Sequence, residues 1–206
     1  MDEQLRILFK NITGSLTDLD SISPNTVPNI DLYMDQITSF MDDELAGCKR
    51  YPHEKILTKT MINNYTKNKL IPPPKKKKYS KEHLLLLIFV YYMKDFLSIN
   101  DIRKILNPLS TRFFSNEEGV TLSEVYDTIF SLEKKQADNI TDDVQRKYKD
   151  AKNAFPNAKP GDEEYLRTFS LICLLSYDVY IKKQLIERLL DNMDENGNLN
   201  LTESDP

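Results

Sequence analysis

The sequence predicts a mainly α-helical protein. Only five of its 206 residues are glycine, which argues against a loop-rich all-β fold. Leu, Ile, Lys and Glu recur at helical spacing, and Ser or Thr precedes several apolar runs as a helix N-cap does. We therefore expect helices through most of the chain, with one short hairpin at 71–79 as the candidate β-structure.

The N-terminal elements follow from apolar periodicity and from prolines. An amphipathic helix is expected at 2–19, and a loop with two prolines separates it from a second helix at 30–46. The second helix is expected to end at Gly47 and to bury the side chains Ile30, Met34, Ile37, Phe40, Met41 and Leu45. Thr58 is the predicted N-cap of a third helix, 58–68, and Pro72–Pro74 prevent its continuation.

Two more helices are marked by their N-caps. Ser80 precedes the run LLLLIFVYYM and predicts a buried helix at 81–96. Ser98 has Asp101 three residues later, which predicts a short helix that Pro108 ends.

The C-terminal half is expected to consist of two long helices. Thr121 and Glu124 form a T-x-x-E capping box that opens the first, with a break expected near Asn139. The segment PNAKPGD is a predicted turn, and the last helix is expected at 163–192. That helix is apolar on nearly all sides between Phe169 and Ile181, so it requires cover on more than one face. The apolar runs are shorter than the ~20 residues of a membrane span.

The charge is concentrated in one basic island. The net charge is −4, but residues 55–82 contain nine Lys and one Glu, so the island carries +8 and the remainder −12. Such a local excess favours one contact surface for a polyanion. The face of the 58–68 helix that points away from its apolar residues is basic and rich in amides, without an acid.

Nothing in the sequence indicates catalysis. The two cysteines, Cys48 and Cys173, lack metal-type spacing and are expected to be reduced thiols of a cytoplasmic protein. His83 lies beside Glu82 at a predicted helix start and is expected to be structural. No nucleophile–base arrangement and no glycine-rich phosphate loop stands out, so we expect a non-enzyme without a cofactor.

Residues 65–106 resemble the DNA-binding core of MerR-type winged-helix regulators. The family pattern is a helix that ends Y-x-x-x-G-L-I, a wing, R-x-Y-[ST]-x-E-x-L, and a closing G-x-S-L-x-x-I. The matching residues are Tyr65, Leu70, Ile71, Lys77, Tyr79, Ser80, Glu82, Leu84, Ser98, Ile99 and Ile102. Lys69 stands at the glycine of the pattern, and Asn63 stands at the usual Arg of the recognition helix. The connection before Thr58 has about ten residues, whereas a helix-turn-helix corner has ~3–4.

A closer resemblance covers residues 30–106. The segments 57–65, 72–83 and 97–102 are similar to an uncharacterised bacterial family, known mainly from Firmicutes and listed as domain of unknown function eighteen-thirty-six. The two resemblances imply a MerR-like winged helix-turn-helix domain with a short wing, followed by an α-helical region. The expected division is 1–29 (N-terminal helix and loop), 30–110 (winged-helix domain), 111–192 (helical region) and 193–206 (polar tail).

The MerR resemblance implies a sequence-specific transcriptional regulator that binds double-stranded DNA, with helix 58–68 for recognition and 72–79 as a basic wing. The expected contacts are Lys59, Thr60, Asn63, Asn64, Lys67, Lys75, Lys76, Lys77, Lys78 and Tyr79. Asn can bond adenine bidentately, and the lysines would contact phosphate. Tyr79 would either anchor the wing to the core or stack on the DNA backbone. MerR-type proteins dimerise through a C-terminal helix, so the resemblance also implies a homodimer.

Other interpretations stay open. The island could be a solvated lysine loop, or it could bind an acidic protein partner through the wing alone. Residues 192–203 match much of a calcium-binding EF-hand loop, at the positions Asn192, Asp194, Asn196, Asn198 and Glu203. Position 1 is Asn instead of Asp, and no exit helix follows, so we expect a polar tail without metal.

Overall fold

A computed structural model describes residues 22–115 and 118–200, apart from the side chains at 137 and 138. The predicted helix at 2–19 and Glu203 therefore lie outside the described residues. The chain divides into two compact units. Among the described residues, the basic unit comprises 22–115, 118–131 and 187–200, and the two-helix unit comprises 132–186.

The prediction of a mainly α-helical fold is confirmed. The elements are β1 (Leu32–Tyr33), α1 (Met34–Glu44), a 3₁₀ turn (Ala46–Cys48), α2 (Lys59–Lys67), β2 (Lys78–Tyr79), α3 (Lys81–Met93), α4 (Ile99–Phe113), α5 (Leu122–Asn153) and α6 (Glu163–Asp191). The boundary between the two units falls within α5 and again within α6. Among the described helices, none combines the length and the apolar character that a bilayer crossing requires.

The predicted helix starts are confirmed by side-chain hydrogen bonds. The Thr58 hydroxyl accepts from the backbone N–H of Met61 at 3.2 Å. Ser98 and Asp101 form a reciprocal capping box, in which the Asp101 N–H donates to the Ser98 hydroxyl and the Ser98 N–H donates to the Asp101 carboxylate. Thr121 and Glu124 do the same at α5. These motifs are local, so the sequence alone specifies them.

The predicted helix at 30–46 is wrong at its start. Leu32 and Tyr33 form β1 instead, which pairs antiparallel with β2, so that Leu32 lies opposite Tyr79 and Tyr33 opposite Lys78. Leu32 is buried in place of Ile30, which is 67% exposed. The strand pairing joins segments more than forty residues apart in the chain, which apolar periodicity does not reveal.

Two predicted interruptions are also absent. Pro108 lies inside α4, which continues to Phe113. Proline removes one helical hydrogen bond but can be accommodated where the helix packs tightly; here a Cβ on Gly197 would lie only 3.3 Å from the Pro108 ring. The α5 helix runs through Asn139 without the expected break.

The core of the basic unit surrounds α3. All eight residues from His83 to Val90 are buried, so this helix is covered on every side. Ile37 and Met41 of α1 and Ile62 of α2 are fully buried as well. The α3 helix packs against α4 and β2, and α1 packs against α2. This packing determines which face of α2 reaches the surface.

Candidate nucleic-acid interface

The outer face of α2 carries the predicted contact residues. Ile62 and Tyr65 are buried, and the exposed side chains on the rest of the helix are Lys59, Thr60, Asn63, Asn64 and Lys67. The sequence of α2 contains no acidic residue. A solvated helix face usually mixes both signs of charge, so this face is suited to a polyanion.

The two asparagines of this face differ in their surroundings. The Asn68 side-chain amide donates to the Asn64 side-chain oxygen at 2.8 Å, so Asn64 is engaged within its own helix. Within the part of the chain that the structure describes, the Asn63 side chain forms no hydrogen bond. Asn63 is therefore better placed than Asn64 for a bidentate contact with a base.

The C-terminal end of α2 forms a Schellman motif. The Leu70 N–H donates to the Tyr65 carbonyl at 2.9 Å, and the Lys69 N–H donates to the Thr66 carbonyl at 3.1 Å. Lys69 has φ +60°, a conformation that glycine adopts most easily. Leu70 is buried, which anchors this end of the helix to the core.

The wing, residues 72–79, ends in a tight lysine turn. The backbones of Lys75 and Lys78 exchange both hydrogen bonds, at 3.1 and 2.9 Å. The two residues between them, Lys76 and Lys77, have φ +50° and +64°. A two-residue turn with positive φ at both positions is of type I′, for which Asn-Gly is strongly preferred. The side chains of Lys75, Lys76 and Lys77 are exposed.

Tyr79 anchors the wing to the core. Its side chain is 3% exposed, and its hydroxyl lies beside the side chain of Thr66 of α2. Burial raises the pKa of Tyr79. The ring does not reach the surface, so the expectation that it could stack on DNA is corrected, and the anchoring alternative holds. Tyr79 thereby connects the wing to the helix whose outer face carries Asn63.

Sequence reasoning missed two residues that contact the basic surface. Lys78 lies over the ring of Tyr33, with its Nζ 5.4 Å from the ring centroid, so this lysine is half-buried beside β1. Lys59 forms an ion pair with Asp35 of α1, and both side chains are largely exposed. An exposed pair contributes little to stability, so a phosphate can replace Asp35 as the partner. Neither contact is visible in the sequence, because β1 and α1 reach the site through tertiary packing.

His83 has the structural role that the sequence predicts. Its Nδ1 accepts from the Ser80 N–H at 3.0 Å and so caps α3. Its ring packs edge-on against Tyr79 and Phe114, with centroids 5.4 and 4.7 Å apart. Burial lowers the pKa of His83, and Nε2 has no hydrogen-bond partner among the described residues. The side chain supports the base of the wing.

The described part of the EF-hand lookalike, residues 192–200, forms a small closed loop. Asp194 accepts from the backbone N–H groups of Asn196 and Asn198, at 2.9 and 2.8 Å, and from the Asn198 side chain. The backbone hydrogen bond from Asn198 is the main cause that lowers the pKa of Asp194. The Asn192 side chain donates to the Arg188 carbonyl. Among the described residues, no group of three His, Cys, Asp or Glu could hold a metal ion.

Comparison with known proteins gives one match. A family model described as Domain of unknown function (DUF1836) matches residues 22–129, which is more than half of the chain and includes β1 to α4. No curated protein and no solved structure matches the chain.

Proposed function

The chain belongs to the family described as Domain of unknown function (DUF1836), and we propose that it is a DNA-binding transcriptional regulator. In this proposal it binds double-stranded DNA sequence-specifically through the outer face of α2 and the wing. The matched residues 22–129 contain both parts of this surface.

The observation that carries the proposal is the lysine turn at the tip of the wing. An L-residue other than Gly, Asn or Asp in the left-handed region costs ~1–2 kcal/mol, so Lys76 and Lys77 strain the fold. Asn-Gly would form the same turn without that cost. A strained turn that keeps two exposed lysines is typical of a functional site, and their charge is the property that Asn-Gly would lose.

The two parts of the surface would have different tasks. The lysines of the wing would contact phosphates and supply affinity that is independent of sequence. The α2 helix would enter the major groove, where Asn63 is the best-placed residue to bond adenine. Lys59 and Lys67 would contact phosphates on either side of it. The Tyr79–Thr66 contact would hold the wing and α2 in a constant relation.

The MerR-like part of the proposal is supported by the end of α2. Lys69 stands where the MerR pattern has glycine, and its positive φ is the conformation that glycine would supply. The buried Leu70, Ile71, Tyr79 and Leu84 occupy apolar positions of the same pattern. The longer connection between α1 and α2, which contains the 3₁₀ turn, differs from a standard helix-turn-helix corner.

A pair of charge reversals tests the proposal. Lys76→Glu/Lys77→Glu should weaken binding to duplex DNA by at least tenfold and reduce the salt dependence, because each lost phosphate contact lowers the log–log slope by ~0.9. The control is Lys134→Glu/Lys135→Glu, which changes the net charge equally at exposed positions of α5. Fluorescence anisotropy with a labelled random duplex across a salt series measures both effects.

Three outcomes would contradict the proposal. If the unchanged chain fails to bind duplex DNA at low salt, the surface does not serve DNA. If both variants lose affinity equally, binding follows net charge and not the wing. In a third outcome, the wing variant loses affinity for duplex DNA, but Asn63→Ala loses none on any duplex of a panel. An acidic protein would then be the better partner, because such a partner needs the wing alone.

A further inference from the structure

Two contacts connect the start of α1 to the basic surface. Lys78 of the wing lies over the ring of Tyr33, with its Nζ 5.4 Å from the ring centroid. Lys59, the first residue of α2, forms an ion pair with Asp35 in the first turn of α1. Because Tyr33 and Asp35 are only two residues apart, the start of α1 lies between the wing and α2.

The strand pairing determines which way Tyr33 faces. Leu32 and Tyr79 lie opposite each other in the pair of β1 and β2, and both are buried. Successive side chains of a strand point to opposite faces, so Tyr33 and Lys78 lie together on the outer face. Tyr33 is accordingly 53% exposed. Its N–H donates to the side-chain oxygen of Gln36 at 2.8 Å, which fixes its backbone at the start of α1.

These contacts make the surface continuous from the tip of the wing to the exposed face of α2. Lys59 and Asn63 are four residues apart in α2, so they share one face of that helix. In order along the surface, the residues are Lys77, Lys78, Tyr33, Asp35, Lys59 and Asn63. A duplex that contacts both the wing and α2 therefore passes over the start of α1.

Tyr33 and Asp35 have opposite chemistry toward a phosphate. A phenolic hydroxyl carries no charge and can donate a hydrogen bond to a phosphate oxygen. The ammonium group of Lys78 beside the Tyr33 ring favours an anion at this position. The carboxylate of Asp35 repels a phosphate and pairs with Lys59 instead. Its side chain is 73% exposed, so the pair contributes little to stability and can open.

We propose that the start of α1 is a third part of the DNA-contacting surface, in which Tyr33 and Asp35 have opposite effects on affinity. Tyr33 donates a hydrogen bond from its hydroxyl to a backbone phosphate. Asp35 lowers the affinity for DNA of any sequence, because Lys59 must exchange this carboxylate for a phosphate. Such a repulsive group limits non-specific binding. The inference rests on the proposed DNA binding and adds two residues outside α2 and the wing.

Tyr33→Phe tests the hydroxyl, because the phenyl ring keeps its contact with Lys78. The affinity for a random duplex should fall about tenfold. The log–log salt slope should stay the same, because a neutral donor releases no counterion. The control is Tyr51→Phe, since Tyr51 is 48% exposed and has Arg50 over its ring at 5.4 Å. This control should change the affinity by less than about twofold, as measured by fluorescence anisotropy across a salt series.

Asp35→Asn tests the carboxylate and should have the opposite effect. The affinity for the random duplex should rise about fivefold, because Lys59 becomes available to a phosphate. Asp43→Asn removes the same charge from an exposed position of α1, eight residues and ~12 Å further along the helix. It should raise the affinity by less than about twofold, because that distance exceeds the Debye length at physiological salt. Equal gains in the two variants would mean that net charge alone sets the affinity.

The outcomes distinguish this inference from the proposed function. If Lys76→Glu/Lys77→Glu loses DNA affinity while Tyr33→Phe and Asp35→Asn bind as the unchanged chain does, the wing still binds DNA and the third part is overturned. If the unchanged chain binds no duplex DNA, both are overturned. A lower salt slope in Tyr33→Phe would overturn the hydrogen bond from Tyr33, because the lost contact would then be that of a lysine. If only one of the two variants behaves as expected, the role of the other residue is overturned.

Discussion

The apolar segments of α3 and α6 are alike in sequence and opposite in environment. Both contain runs of Leu, Ile, Val, Phe and Tyr, and both patterns predict a buried helix. In α3, every residue from Leu84 to Val90 is buried by other elements of the basic unit. In α6, ten large apolar side chains are exposed. Apolar composition thus predicts that a helix needs cover, but it does not say whether the same chain provides it.

The two units also differ in where their backbone is strained. The basic unit places Lys69, Lys76 and Lys77 at positive φ, and the two-helix unit places Phe155 there, in the turn between α5 and α6. Lys76 and Lys77 lie on the surface that we propose for DNA, whereas Phe155 lies outside that surface. The effects of this backbone strain on stability and on DNA binding can therefore be measured separately for the two units.

The largest expected effect would test the contrast between α3 and α6 directly. Leu86→Ala removes a side chain that is 0% exposed, so we expect a loss of ~2–5 kcal/mol in the free energy of unfolding. Leu185→Ala removes one that is 59% exposed, and we expect a change within ~0.5 kcal/mol. Chemical denaturation monitored by circular dichroism measures both. Similar losses would mean that α6 is covered at Leu185.

A second prediction would separate strain that serves binding from strain that does not. Lys76→Asn/Lys77→Gly should raise the free energy of unfolding by ~1–3 kcal/mol, because both residues accept positive φ, and should weaken DNA binding. Phe155→Gly should also stabilise, by ~1 kcal/mol, with no change in DNA affinity. Thermal melts and anisotropy titrations give the two quantities. A wing variant that gains stability and keeps its affinity would separate the wing from DNA binding.

The smallest expected effect concerns His83, which is buried at the start of α3. Burial lowers the pKa of His83 below its ordinary value of 6.5, so the unfolded chain binds a proton that the folded chain excludes. The free energy of unfolding should therefore be constant with respect to His83 above pH 6.5. It should fall as the pH decreases below 6.5, by at most ~1.4 kcal/mol per pH unit. Denaturation at a series of pH values between neutral and mildly acidic measures the slope.

The control for this prediction uses the second histidine. His83→Gln keeps a side-chain acceptor for the Ser80 N–H and should flatten the slope, since Ser-x-x-Gln is also a capping box. His53 is exposed, and His53→Gln should leave the slope unchanged. If the dependence of stability on pH is unaltered in His83→Gln, the carboxylates cause it and His83 does not.

The parts of the fold that could be predicted from the sequence depend on local interactions. The caps at Thr58, Ser98 and Thr121 involve residues three positions apart, and the structure contains each of them. The last helix begins at Glu163 as predicted and ends one residue before the predicted Asn192. The exposed face of α2 was also predictable, because two buried residues at helical spacing determine which side chains remain outside.

The errors share a different origin. The β1 strand depends on pairing with Tyr79 and Lys78, and the continuation of α4 past Pro108 occurs where Gly197 packs against the proline ring. The ion pair of Lys59 with Asp35 and the contact of Lys78 with Tyr33 also join distant segments. Each depends on residues that are close in space but not in sequence.

By itself, the sequence determined where helices begin, which helices require cover, and that one basic island lies in an otherwise acidic chain. Hydrogen bonds across three or four residues, apolar periodicity and charge count are properties of short segments. They can therefore be recognised before the fold is known. Only the tertiary structure decided that Tyr79 is buried, that Lys76 and Lys77 form a strained turn, and that the apolar side chains of α6 are exposed. These features depend on which segments meet, because burial and backbone strain are set by neighbours that local patterns do not identify.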